Sequence, residues 1–172
     1  MCGHLAEIKS NTNNTYYAIL TVNETDNFSI IENYRDVYYE LYLYNGYNNF
    51  SGYTIGYRVK IDNKEVAYHD NSGNQTSMAA NSSKLVKSDT IRIYHNADGT
   101  KRNVSISFEI WTNNYSYLPV SLSASGTMNL TDIPRHVNIT SFSVSKRDET
   151  SVKFNWSADA DCDWAWYSTD NG

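Results

Sequence analysis

Tyrosines two residues apart are the first groups in this chain whose types and spacing point to a chemistry. Tyr38, Tyr42 and Tyr44 alternate with Val37, Tyr39, Leu41 and Leu43, and Glu40 falls among the tyrosines. Successive side chains of a strand point to opposite faces, so this stretch presents an apolar face and a tyrosine face around one carboxylate. Tyr47 follows in the adjoining loop, and Trp111, Tyr115 and Tyr117 form a second aromatic group. Flat aromatic rings can lie against the C–H faces of a sugar, while phenol and amide groups orient its hydroxyls. Asn45, Asn113 and Asn114 would supply the amides. The expectation is a carbohydrate-binding surface made from both groups, lining one groove if the two hairpins are neighbours. The competing reading is packing against the other sheet, a loop or another subunit.

Other constellations carry less. Glu40 and Glu109 both sit among aromatics on the polar side of strand patterns, as the acid and nucleophile of a jelly-roll glycan hydrolase would. Two carboxylates among 19 acidic residues are weak support for catalysis, and a non-enzymatic protein is expected. Asp159, Asp161 and Asp163 alternate and could offer oxygens to Ca²⁺, but the glycine and terminal Glu of a calcium loop are absent, which favours a solvated loop. The histidines His4, His69, His95 and His136 lack metal-ligand spacing. No nucleophile elbow, phosphate loop or metalloprotease motif occurs, and neither cofactor nor metal is expected.

The elements that would hold these residues are strands. Tyr16 to Asn23 places Tyr16, Ala18, Leu20 and Val22 on one face, and Asn23 to Asn27 reads as a turn before the short stretch Phe28–Ile31. Tyr53 to Ile61 returns from the central strand, and Asp62-Asn63 turns it into Glu65–His69. A long polar loop spans 70–81. Ser82 to His95 is an edge-like strand with Leu85, Ile91 and Ile93 facing one way, and Asn96-Ala97-Asp98-Gly99 is a hairpin signal. In Lys101 to Trp111, Val104, Ile106, Phe108 and Ile110 alternate strictly with polar residues, and Tyr117 to Leu130 follows. Seven or eight strands at hairpin spacing over residues 15–132 predict an antiparallel β-sandwich, jelly-roll-like.

Residues 1–14 read as an N-terminal arm, 15–132 as the sandwich and 133–136 as a linker carrying Pro134. In 137–172, Ile139–Val144, Val152–Trp156 and Trp164–Tyr167 resemble the opening strands of an immunoglobulin or fibronectin type III module. Such modules need roughly 90 to 100 residues, so an incomplete one is expected.

Composition narrows the partners. Aromatics make up 14% of the chain, with 15 tyrosines and only two prolines, which suits half-buried pleated surfaces. The net charge of −5 and the lack of a basic stripe argue against nucleic acid. No apolar run approaches the roughly 18–20 residues of a membrane helix. The first residues lack the layout of an export signal, so synthesis in a bacterial cytoplasm is expected. Cys2 and Cys162 read as free thiols. The many Asn-x-Ser/Thr triplets follow from an Asn-, Ser- and Thr-rich composition rather than marking glycans.

Several segments in order carry a resemblance: Tyr17-Ala18-Ile19-Leu20-Thr21-Val22-Asn23-Glu24-Thr25, Tyr44-Asn45-Gly46-Tyr47, Phe50 to Tyr57, His95 to Lys101 and Ile133-Pro134-Arg135. Together they resemble the N-terminal part of minor structural, tail-associated proteins of siphophages that infect Gram-positive bacteria such as streptococci. The resemblance implies a virion tail component, oligomeric and in contact with other tail proteins, with a role in binding a cell-wall saccharide or other surface receptor of the host. A purely structural tail connector is the alternative that it equally allows.

Overall fold

A computed structural model describes residues 5–10, 15–72, 75–112, 121–134, 139–147 and 152–158. The chain divides into two compact units, Met1–Pro134 and Arg135–Gly172.

The first unit is a sandwich of two antiparallel sheets. One is four-stranded, in the order β1 (Leu5–Lys9), β2 (Tyr16–Ser29), β3 (Tyr34–Asn45), β7 (Ser82–Tyr94). The other runs β5 (Lys64–His69), β4 (Phe50–Ile61), β8 (Val104–Thr112), β9 (Ser121–Met128), with β6 (Gln75–Met78) also pairing β4. Of the jelly-roll comparison it keeps the stacked antiparallel sheets, while its strand order is mainly one of paired hairpins. Leu5–Lys9, within the stretch read as an arm, is the edge strand of the first sheet, and β6 lies inside the stretch read as loop.

Alternation builds the core. Ala18, Leu20 and Val22 of β2 meet Val37, Tyr39, Leu41 and Leu43 of β3 on the inner face of one sheet. Val59 and Ile61 of β4, with Val104, Ile106, Phe108 and Ile110 of β8, supply the other inner face. Each such side chain withdrawn from water contributes about 1.5–3 kcal/mol, which is what drives the two layers together. Phe50 closes the base, edge-on to Tyr53 at 5.2 Å and to Tyr16 at 6.4 Å.

Three local departures from the sequence reading have physical causes. The expected turn at Asn23–Asn27 is a bulge inside a continuous β2, because local side chains satisfy the displaced backbone. Thr25 Oγ1 donates to the Asp36 carbonyl (3.0 Å), and Asn27 Nδ2 donates to the Asp36 carboxylate (2.6 Å). In β7 the pairing jumps from Leu41–Lys87 to Tyr42–Leu85, so Val86 is extra and the phase inverts. Ile91 and Ile93 therefore pair with Val37 and Arg35 on the inward side, whereas Leu85 pairs with Tyr42 and faces out. Finally, Gly99 does take the left-handed conformation (φ 80°), but the strands flanking its turn belong to different sheets. The turn signal was local and correct; the hairpin was not.

Gly99 also anchors the end of the unit. Its carbonyl accepts from Ile133 N at 3.0 Å, and a Cβ there would lie 2.1 Å from the Ile133 carbonyl oxygen. Leu130 and Ile133 are buried, and Thr131 between them is held from inside the sandwich. Glu24 Oε1 accepts from Thr131 N (2.6 Å), and His95 Nε2 lies 3.2 Å from the Thr131 carbonyl, which accepts its proton. Arg35 balances Glu24 at 3.4 Å and donates to the Thr25 carbonyl at 3.2 Å. Burial pushes the His95 imidazole below its ordinary pKa, which keeps it neutral and donating.

The second unit contributes β10 (Ile139–Lys146) and β11 (Val152–Ala158), an antiparallel pair in which Phe142 faces Trp156 and Val144 faces Phe154. Two such strands open an immunoglobulin or fibronectin III sandwich and many others besides. The expected third strand at Trp164–Tyr167 lies outside the described residues, as do Asp159, Asp161 and Asp163.

Tyr39 is the core tyrosine at the centre of β3. It is fully buried, its hydroxyl has no hydrogen-bond partner among the described residues, and burial pushes its pKa up to about 12. A raised folded-state value means that the folded chain keeps its proton longer than the unfolded chain. Stability is therefore full below the ordinary value of 10.0 and falls as pH rises from there towards about 12. Tyr39→Phe should lose much of that alkaline decline at little cost near neutrality, checked by urea unfolding at neutral and alkaline pH. The two faces of β3 should also separate in stability. Leu41→Ala should cost about 2–5 kcal/mol by the same measurement, and Tyr42→Ala under about 1 kcal/mol.

Candidate functional site

The outward side of the first sheet carries a continuous row of aromatic and polar groups. Pairing places Tyr17 opposite Tyr44, Ile19 opposite Tyr42, Thr21 opposite Glu40 and Asn23 opposite Tyr38. On the far edge β7 adds Ser83, Leu85, Ser88 and Thr90. The tyrosines are half-buried because they cover one another. Tyr17 and Tyr44 stack at 4.6 Å with 9° between planes, close to the roughly 4.7–4.9 Å spacing of the strands that carry them. Lys9 of β1 sets its ammonium 3.8 Å from the centre of the Tyr17 ring. Between Lys9 on one flank and Tyr44 on the other, the Tyr17 ring is covered on both faces. Tyr42 tilts 47° from Tyr44 at 6.3 Å.

Glu40 organises the other end of the row. Tyr38 and Tyr42 both donate their phenol protons to Glu40 Oε1, at 3.1 and 3.2 Å. Desolvation first, and this bond to a carboxylate second, hold the Tyr42 phenol above its ordinary pKa. Beside the stacked pair lies a hollow of about 310 Å³ lined by Tyr17, Tyr44, Gly46, Asn81, Ser82 and Ser83.

The remaining candidates separate. Asn45 has the parity of the inward face and is buried. Its Nδ2 donates to the carbonyls of Asn48 (2.9 Å) and Ala79 (2.8 Å), and its Oδ1 accepts from Tyr47 N (3.0 Å). Asn45 borders the hollow beside Tyr17 and Tyr44, but its amide is a bolt between two loops with both hydrogens already spent. Tyr47 is exposed at the loop tip. Trp111 lies on the outward face of the second sheet, so the core separates it from Tyr38, Tyr42 and Tyr44. Its indole covers Gly56, where a Cβ would lie 2.2 Å away, and Tyr68 flanks it at 6.0 Å. Asn113, Asn114, Tyr115 and Tyr117 lie outside the described residues. Glu109 shares Trp111's face, so Glu40 and Glu109 cannot flank one glycosidic bond.

Two members of the tyrosine row escaped the sequence reading. Tyr17 was left out although the alternation that turns Tyr16, Ala18, Leu20 and Val22 to one face already turns it to the other, and Lys9 belonged to the stretch read as an arm. A polar hollow of about 740 Å³ on the second sheet, lined by Arg58, Lys60, Ser107, Glu109, Ser123 and Ser125 and reaching Lys9, was foreshadowed only by alternating serines. There Arg58 already bridges Glu65 (3.0 Å) and Glu109 (3.9 Å). Among the described residues no cluster of three or more His, Cys, Asp or Glu side chains is placed to hold a metal ion, and no helix is long and apolar enough to cross a membrane.

Fold and face together define an all-β sandwich protein with one flat, tyrosine-lined outer sheet. The chain belongs to the family described as Siphovirus protein of unknown function (DUF859), which it matches over residues 5–167. It is thus a phage protein, as the resemblance implied at that coarser level. Nothing matches among the curated proteins or among the solved structures.

The bond between Tyr42 and Glu40 has a direct spectroscopic consequence. Glu40→Gln removes the charge that the phenolate would oppose, so Tyr42 should titrate closer to its ordinary value. The shift should show in an alkaline tyrosinate absorbance titration and vanish in a Tyr42→Phe background.

Proposed function

We propose that this protein is a non-enzymatic module of the virion tail that recognises the host surface by seating a cell-wall saccharide along the tyrosine row. One observation carries the reading: Tyr17, Tyr44, Tyr42 and Tyr38 form a row on one outward sheet face, and among the described residues no other element of the unit packs over it. Contiguous aromatic surface rimmed by polar groups marks an interaction site, and rings with hydroxyls suit sugars better than apolar partners. The hollow at Asn81 and Ser83 gives the row an end where a chain terminus can sit. A shallow face of this kind binds weakly as a single site. Copies held together in a homo-oligomeric tail would raise the overall affinity by 10²–10⁴.

A connector role is favoured by a separate observation, the buried hold of Glu24 and His95 on Thr131, which fixes where the chain leaves the first unit. The two readings part in one experiment. Cell-wall pull-down and a glycan array with Tyr44→Ala and Tyr42→Ala should show at least about a tenfold loss, or 1.4 kcal/mol, under the saccharide reading. Unchanged cell binding with failed particle assembly would give the connector reading instead.

A further inference from the structure

We infer that Glu40 is the recognition point for an amino group, so that the saccharide taken by this face carries free, unacetylated amines. The inference rests on the saccharide reading and narrows its ligand.

It starts from where the protons are. Tyr38 and Tyr42 both spend their phenol hydrogens on Glu40 Oε1. What the triplet still offers a ligand is acceptors: the other carboxylate oxygen and the phenol lone pairs. A carboxylate between two aromatic rings is the complement of an ammonium group, which pairs with the charge and is attracted to the ring faces.

Glu40 is also open to such a partner. Elsewhere on this sheet Glu24 is paired by Arg35, Glu32 and Asp36 by Arg92, and Asp89 by Lys87. Among the described residues Glu40 has no ion pair. Its cross-strand neighbours are Thr21 and Ser88, and Glu7 lies beyond Thr21. Lys9, one pair further along, is occupied by Tyr17, and Arg92 on the same face is taken by Glu32 and Asp36. An N-acetyl group would remove the ligand's positive charge and bring a carbonyl to a cluster that already consists of acceptors. That substitution discriminates by leaving polar groups unpaired.

The test compares a glucosamine oligomer with its fully N-acetylated counterpart of equal length. Binding to the whole chain is measured by calorimetry at low salt and mildly acidic pH, where the amines are charged. The wild type should favour the free amine by about tenfold or more. Glu40→Gln should abolish that preference while keeping the wild-type melting temperature. Glu109→Gln, on the opposite face, should leave the preference intact, which separates a site from general attraction to a chain of net charge −5. Equal affinity of the wild type for both oligomers, or a preference that survives Glu40→Gln, overturns the amine inference. If that equal binding disappears in Tyr42→Ala, the saccharide reading still stands. Binding of neither oligomer, with cell binding also indifferent to the tyrosines, overturns both.

Discussion

The outer face of the first sheet exists because β3 is gripped along both edges at once. β2 pairs with it from Tyr16–Asn45 to Ser29–Tyr34, and β7 from Tyr34–Tyr94 to Asn45–Ser82. A slip of one residue on either side would carry Leu41 into water and Tyr42 into the core. The register is therefore enforced by apolar burial, and the tyrosine row is its consequence: the same alternation that hides Val37, Leu41 and Leu43 turns Tyr38, Tyr42 and Tyr44 outward. A face made this way is rigid, since moving a ring means moving a strand whose other side is the core. The rings also restrain one another, Tyr17 stacking on Tyr44 and Tyr42 tilting against it.

How far this was legible in the sequence depended on the range of the signal. Alternation within one strand is local, so the inward sets of β3 and β8 and the outward Tyr38, Glu40, Tyr42 and Tyr44 could be read directly. Turn chemistry is local too. Asp62 and Asn63 take positive φ (53° and 62°), as their side chains allow, and Gly99 does the same. Sheet membership is not local. Nothing in the alternation of β8 says which layer it joins, and so Trp111 was grouped with tyrosines that lie across the core. Phase is lost at a bulge as well: one extra residue at Val86 turned Leu85 outward while Ile91 and Ile93 stayed in. Asn45 shows the opposite failing. Its parity matched Leu41 and Leu43, and only its polarity suggested a surface role.

The two outer faces differ in chemistry although one sandwich bears both. The second sheet turns out Ser105, Ser107, Ser123 and Ser125 around Arg58 and Lys60, a surface rich in donors. Its carboxylates Glu65 and Glu109 are drawn onto Arg58, whose guanidinium also lies over Tyr68. Such exposed pairs are worth little to stability, but they leave that face internally neutralised. On the first sheet the central carboxylate receives phenol protons instead of a cation. A hydrogen bond holds the Glu40 side chain in place without cancelling its charge, so the two outer faces differ in charge as well as in side-chain type.

The buried charges answer a different demand. Taking Glu24 and Arg35 out of water costs several kcal/mol per ion, and their mutual attraction at 3.4 Å repays only part of it, so the pair is a poor device for stability alone. Its use is positional. Glu24 turns its second oxygen to Thr131 N, His95 holds the carbonyl of the same residue, and Arg102 reaches the Leu130 carbonyl at 2.9 Å and Asp132 at 2.7 Å. A hydrophobic contact could fix the depth of this segment, but it would leave its backbone polar groups unsatisfied and its register free. Directional bonds from Glu24 and His95 to Thr131, and from Arg102 to the residues on either side of it, remove that freedom. The segment leading towards Pro134 is thereby tied through Glu24 to β2, the strand that also carries Tyr17.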